Sequence, residues 1–333
     1  MNSYIFSFKK IIFAIFIILI LEYLILYFLK PPSVFDSNLF ERNYIKPDNR
    51  ASFIIASKIE QSQNVDYKFI QVGGSEGLHG VIPKKLNKNY YNASCCRNTG
   101  YLGYEIIAYT ILDNLNKKYG NKSRNVLLVL SPSSIPHENN NLIENDLSKL
   151  LEENFISKKG ILLNSVPSIS FRSKLSLKKN SYESIKLNTT MTLDAYATEQ
   201  IYNILLANDG FIKFPNTGIF NYPNKDHFIK IYNNISIFEN WLNRFELKLK
   251  QRNAKLTVIF TPAPFTYKNE DKIFIYKIIN KIKEDFSGVN VIDQFVFDKS
   301  FNFHEYWGDD IHLNQNGAKI FSEKLSVIVN AIY

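Results

Sequence analysis

The chain has 333 residues, 45% of them hydrophobic and 14% aromatic, enough to bury one large domain or two small ones. Its formal charge of +9 is spread along the chain with no basic arm and no nucleic-acid motif, which argues against a nucleic-acid partner and leaves an anionic lipid or polymer as the surface it suits. The two cysteines, Cys95 and Cys96, are adjacent. Neighbours pair only under strain and match no zinc or redox spacing, so no disulfide framework is expected.

The first element is residues 11–29, IIFAIFIILILEYLILYFL, apolar apart from Glu22 and two tyrosines. At 1.5 Å per residue this stretch reaches about 28 Å, close to the hydrocarbon thickness of a bilayer. It is longer than a signal-peptide core and large residues run to its end, where a cleavage site would need small ones. The stretch therefore predicts one uncleaved N-terminal transmembrane helix, with a cleaved signal as the alternative. Lys9 and Lys10 precede it and Lys30 follows, giving a slight preference for residues 1–10 as a cytoplasmic leader. The main domain then lies outside the cytoplasm, in a periplasm or at the cell surface. Residues 31–64 are polar, with Pro31, Pro32 and Pro47, and read as a stalk leading into a body over 65–333.

Within the body, YKFIQVGG (67–74) predicts a buried strand and NYYNAS (89–94) a second. Residues 100–120 have helical spacing, lysines near their end and a glycine stop. NVLLVLSP (125–132) predicts a third strand. Residues 137–225 are polar and rich in Asn, Lys and Ser, and read as an insertion or lid. Then come one long amphipathic helix over 227–253, a strand over 255–264, a helix over 271–286, a strand over 289–295 and a closing helix over 314–332. Helices alternate with continuously apolar strands, so the expected fold is a three-layer α/β/α sandwich with a mostly parallel sheet. In such sheets the chemistry sits just after the carboxyl ends of the strands.

After the first strand stands VGGSEGLHG (72–80). A serine after two glycines, at the start of a helix, can present its hydroxyl beside backbone N–H groups; equally, it can be a helix cap in a tight turn. At the other end of the chain, GDDIHLNQNG (308–317) offers a histidine three residues after an aspartate. A base for serine needs a group that titrates near neutrality and a carboxylate to hold its tautomer. Asn314 and Gly317 read as residues that start the last helix.

This pairing resembles the SGNH (GDSL-like) hydrolase superfamily, in which a Gly-x-Ser after the first strand and a late Asp-x-x-His supply a catalytic triad. Gly73-Gly74-Ser75 matches the first block and Asp309-Asp310-Ile311-His312 the last, over roughly 65–135 and 255–332. The resemblance implies a flavodoxin-like sheet of the SGNH type, with Ser75 as nucleophile, His312 as base and Asp309 as its partner; Asp310 is the competing acid. Where the superfamily often has Asn-x-Gly-x-x-Gly, this chain has Asn92-Ala93-Ser94-Cys95-Cys96-Arg97, and the oxyanion glycine falls on Arg97. Its backbone N–H survives the change, and its guanidinium could face an anionic substrate group. Where the third block usually offers Gly-x-Asn-Asp, LSPSS (130–134) stands instead. Ser133, with Ser131 or Ser134 as alternatives, would have to replace the missing asparagine donor.

The anchor, SPSS and TPAP after two strands resemble the membrane-anchored envelope branch, which includes the D-alanyl-lipoteichoic-acid biosynthesis protein and relatives that add or remove acyl groups on envelope polysaccharides. The resemblance implies a serine esterase or O-acyltransferase acting on an acyl or aminoacyl ester of an envelope glycan, with no metal or organic cofactor, and a membrane acyltransferase as an alternative partner. The missing asparagine motivates the other reading, a non-catalytic binding or assembly protein on the same fold. A phospholipase is less favoured, because no broad apolar loop near the site would seat acyl chains. Among the remaining residues, His137 is a substrate-side candidate, His79 a structural residue near the site, His227 the start of a surface helix, His304 a residue behind the final loop, and Trp307 a packing residue.

Overall fold

A computed structural model describes residues 54–55, 57–86, 89–95, 100–135, 203–214, 225–286 and 288–332, together with positions 13, 16, 17 and 20. The predicted span over 11–29 lies outside the described residues except for Phe13, Phe16, Ile17 and Ile20, which are helical and exposed. Among the described residues no helix is long and apolar enough to cross a membrane. Most of the expected insertion over 137–225, with His137, and Arg97 of the second block also lie outside them.

The body is an α/β unit around one parallel sheet. Its strands are β1 (Phe69–Gly73), β2 (Tyr90–Asn92), β3 (Arg124–Leu130), β4 (Ala254–Phe260) and β5 (Asn290–Ile292), in the order β2-β1-β3-β4-β5. All four neighbouring pairs are parallel. β1 and β3 are buried at every position, as continuous apolar runs between two helical layers must be. Alternate residues feed two cores. Ile70, Val72, Val126, Leu128, Val258 and Phe260 face one layer, and Phe69, Leu127, Val129, Ile259 and Ile292 the other.

Helices among the described residues include α1 (Ser75–Gly80), α2 (Pro83–Leu86), α3 (Gly100–Tyr119), α4 (Lys225–Asn233), α5 (Ile235–Lys250), α6 (Asn269–Asp285) and α7 (Gln315–Ile332). α3, α5 and α6 cover the first face; α7 covers the second with Ala318, Phe321, Leu325 and Val329, a stripe at helical spacing. The long helix expected over 227–253 is two helices. The Asn234 amide donates to the Lys230 carbonyl at 2.9 Å, and its backbone leaves the helical region at φ −109°. Its backbone N–H still donates to the same carbonyl at 3.1 Å, and the next turn begins on the Asn234 carbonyl, which accepts from the Ile237 N–H at 3.0 Å.

The turn out of β1 depends on Gly73. Its φ is +145°, and a Cβ there would stand 2.0 Å from the Val129 carbonyl oxygen on β3. Gly73→Ala is therefore expected to cost on the order of 3 kcal/mol or more, because both the backbone angle and the neighbouring strand reject the methyl group. Gly120 also has positive φ, +87°, but nothing lies within 4 Å of a Cβ there. Gly120→Ala should cost only the backbone term, about 1–2 kcal/mol. Urea unfolding of the two variants checks this; equal midpoints would contradict it.

Candidate active site

Gly74, extended at φ −77° and ψ −171°, precedes α1, and Ser75 is the first residue of that helix. The helix is held to the sheet from below by polar groups. The buried Asn92 amide at the end of β2 donates to the carbonyls of Gly77 and Val81, both at 2.9 Å. Its side-chain oxygen accepts from Gln71 Nε2 and from the Ser94 backbone N–H, each at 3.1 Å. Gln71 also donates to Ser94 Oγ at 2.7 Å and accepts from the Tyr90 hydroxyl at 2.6 Å. Gly77 makes this possible, since a Cβ there would fall 2.6 Å from Ser94 Oγ. The buried Lys58 ammonium donates to the Asn92 carbonyl at 2.8 Å and to that of Ser94, fixing the chain just beyond β2.

The loop before α7 is as firmly built. Trp307 pairs with Leu313 in an antiparallel bridge, Gly308 N–H donates to His312 O at 2.8 Å, and the fully buried Trp307 indole donates to Phe301 O at 2.8 Å. Asn314 caps α7: its side-chain oxygen accepts from the N–H groups of Asn316 at 3.0 Å and Gly317 at 3.1 Å. A Cβ on Gly317 would lie 2.2 Å from the Tyr306 carbonyl oxygen, so the loop presses directly on the helix start.

Between these anchors the loop folds back on itself. Asp309 Oδ1 accepts from the backbone N–H groups of Ile311 at 2.8 Å and His312 at 2.6 Å, and Asp309 Oδ2 lies 2.8 Å from His312 Nδ1. His312 Nε2 lies 2.8 Å from Ser75 Oγ. Serine, imidazole and carboxylate thus form one unbroken chain drawn from the two ends of the body. A carboxylate accepts only, so Nδ1 carries a proton; in the neutral ring Nε2 is then the acceptor facing the serine hydroxyl. Asp309, rather than Asp310, is the residue on the ring.

Burial works against the charged form of His312, but the hydrogen bond and charge of Asp309, with the charges of Glu76 and Asp310, outweigh it and raise its pKa above 6.5. Burial also favours protonation of Asp309, yet the His312 hydrogen bond and charge and two backbone N–H groups hold its pKa below 3.8. Glu76, the residue after Ser75, is 3% exposed, and its Oε2 has no hydrogen-bond partner among the described residues. It occupies space that only a glycine at position 74 leaves open, since a Cβ there would stand 2.4 Å from Oε2.

After β3, Ser131 closes a turn over Pro132–Ser134. Its Oγ lies 2.9 Å from Ser133 Oγ, and its N–H donates to Ser134 Oγ at 3.0 Å. When Ser131 donates within the hydroxyl pair, the Ser133 proton is left to point elsewhere. His227 stands in the first turn of α4 and is half-buried: its Nε2 donates to the Ser133 carbonyl at 2.6 Å, tying α4 to this turn. His79 is buried, as expected. His304 lies on an exposed turn, edge-on to Phe265 at 5.9 Å. Arg97 and His137 fall outside the described residues.

Models of known protein families and curated proteins contain no match to this chain. The chemistry must therefore be read from the geometry. Among the described residues no group of three or more His, Cys, Asp and Glu side chains could hold a metal ion. Sequence reading missed two contributors. Gln71 carried a signal, a polar residue inside an apolar strand. Phe214, which stacks on His312 at 4.4 Å, carried none, because only the folded chain brings them together.

A base must be neutral to accept a proton, so activity at Ser75 should rise with pH through an apparent pKa above 6.5. Asp309→Asn removes the carboxylate that raises that value, so any residual activity should titrate lower, and the rate should fall on the order of 10³- to 10⁴-fold. The pH dependence of kcat/KM with p-nitrophenyl acetate checks both; a profile flat across neutrality contradicts the assignment.

Proposed function

We propose that this chain is a membrane-anchored, extracytoplasmic serine esterase or O-acyltransferase of the SGNH type, acting on an acyl or aminoacyl ester of a cell-envelope glycan. The observation that carries the reading is the Ser75–His312–Asp309 chain, with both imidazole nitrogens at 2.8 Å from their partners. Its place at the carboxyl ends of a parallel sheet of order β2-β1-β3-β4-β5 supports the SGNH comparison. The apolar stretch 11–29 supports the anchor, and the glycan substrate rests on the resemblance of motifs and anchor to the envelope branch.

In this reading Ser75 Oγ attacks the acyl carbonyl while His312 Nε2 takes its proton, and Asp309 holds the imidazolium that forms. The backbone N–H groups of Ser75 and Arg97, with a hydroxyl proton from Ser133, receive the negative oxygen of the tetrahedral intermediate. His312 returns the proton to the departing alcohol, leaving an acyl ester on Ser75. Water then releases a free acid, or a glycan hydroxyl accepts the acyl group; in either case His312 removes the proton of the attacking hydroxyl and returns it to Ser75 Oγ as the acyl–serine bond breaks. Each step uses only groups of this chain and its substrates. The Ser131–Ser134 turn, in place of the asparagine donor, favours the second reading of an acyl- or glycan-binding protein without turnover, since one lost donor costs on the order of 10²- to 10³-fold in rate.

Two single variants separate the readings. Ser75→Ala and His312→Ala should each lower p-nitrophenyl acetate hydrolysis by the purified full-length chain at least about 10³-fold, and the double variant little further, because the pair acts as one unit. Full activity in Ser75→Ala would remove the serine mechanism. Inertness of the wild type, with both variants functioning in cells, would establish the binding protein.

A further inference from the structure

The segment 203–214 reaches the site, although the mechanism gives it no task. It is strapped along the edge strand β2. Asn92 N–H donates to the Asp209 carbonyl at 2.9 Å, the Tyr67 hydroxyl donates to Asp209 Oδ1 at 3.2 Å, and Lys84 Nζ donates to the Ala207 carbonyl at 2.6 Å. Gly210 has φ +88°, and a Cβ there would stand 2.0 Å from the Asn92 carbonyl oxygen, so this backbone approaches as closely as a glycine permits. Phe211 and Ile212 follow, both buried. The Ile212 carbonyl lies 2.8 Å from His79 Nδ1 and can only accept, so His79 carries its proton on that nitrogen. Burial, reinforced by the charge of His312, lowers the His79 pKa to about 3, which keeps the ring neutral.

Two residues further on, Phe214 lies nearly flat on the His312 imidazole, with ring centroids 4.4 Å apart and planes 23° apart. His79 meets both rings edge-on, at 4.9 Å from Phe214 and 5.4 Å from His312. The hydrogen bonds to Asp309 and Ser75 hold both ring nitrogens at rest, but when Nε2 gives up its bond to Ser75 during turnover only Asp309 holds the ring, and the outer torsion of a histidine is broad. A flat aromatic face and an edge-on neighbour remove that freedom.

We propose that Phe214 is a positioning residue for the base: held by the strap over 207–212 and by His79, it confines His312 to the plane in which Nε2 meets Ser75 and keeps water off that face of the ring. The proposal rests on the serine-nucleophile reading. A displacement of about 1 Å at a reacting group costs on the order of 10² in rate, so confinement of this kind bears on turnover. The titratable groups acting on His312 are Asp309 and Asp310 from its own loop and Glu76 and His79 from α1; Phe214 adds no charge. Its flat face acts on the ring in two ways: it excludes water, which opposes the imidazolium, and its negative π face attracts the imidazolium. Removing Phe214 takes away both, so the His312 pKa shifts.

The test uses the detergent-solubilised full-length chain and the variants Phe214→Ala, Phe214→Leu and Phe214→Tyr. It measures kcat and KM for p-nitrophenyl acetate between about pH 5 and 9 and follows the His312 side chain by NMR titration over the same range. Phe214→Ala is expected to lower kcat roughly 10- to 100-fold with KM little changed, and to shift the His312 pKa. Phe214→Tyr keeps the flat face and should retain both wild-type values, whereas Phe214→Leu keeps bulk without the face and should remain impaired. Wild-type kcat and an unchanged His312 pKa in Phe214→Ala would overturn the proposal, as would full rescue by leucine. If the wild-type chain hydrolyses no ester, the NMR titration still decides. A shifted His312 pKa in Phe214→Ala sustains the positioning role and places the failure with the esterase reading; an unchanged one overturns the positioning role itself.

Discussion

At the end of β1 the chain has room for a backbone and nothing more. Gly73 faces the Val129 carbonyl at a distance no side chain tolerates, and its positive φ turns the chain sharply out of the sheet. Everything at the site follows from that turn. It starts α1 at the sheet edge, places Ser75 at the first helical position, and lets Asn92 catch the helix from below through two carbonyls. The serine is thus fixed by the sheet, while its partner histidine comes from a loop fixed by α7. Two rigid supports meeting at one hydrogen bond is the arrangement that a preorganised site needs, since geometry held by packing costs nothing at the moment of reaction.

The electrostatics of the site balance burial against charge. Desolvation alone would make His312 a poor proton acceptor, and the three nearby carboxylates reverse that. The sign has consequences for stability as well. A raised histidine pKa contributes stability below 6.5 that is lost as pH climbs through the folded value. A lowered aspartate pKa contributes stability above 3.8 that is lost as pH falls through the folded value. The pair therefore stabilises the fold most between about 3.8 and 6.5, whereas proton abstraction needs the ring neutral, on the alkaline side of that window. In the proposed mechanism, stability and proton abstraction depend on the same contact and are favoured at different pH.

Much of this was legible in the chain itself, for identifiable reasons. β1, β3 and β4 were readable because strands packed between two helical layers carry mostly apolar residues. The Asp-x-x-His pairing was readable because three residues are enough for a loop to fold back, and Asn314 and Gly317 marked the helix that follows. The break at Asn234 was hidden, because an amphipathic pattern runs through it and only the side-chain bond to Lys230 reveals the interruption. His227 was legible as the start of a helix, whereas the bond from its ring to a turn far away in sequence was not. Phe214 sits in a polar stretch that promised no core at all. Contacts of this kind come from tertiary packing, and neither periodicity nor composition encodes them.

The central claim is that Ser75 is an armed nucleophile, activated by His312. The most direct measurement is to treat the full-length chain with an activated fluorophosphonate and locate the adduct by mass spectrometry, with His312→Ala in parallel. The account predicts a single adduct on Ser75 in the wild type and its loss in the variant. A folded wild-type chain left unmodified at Ser75, or labelling that persists without His312, would contradict it.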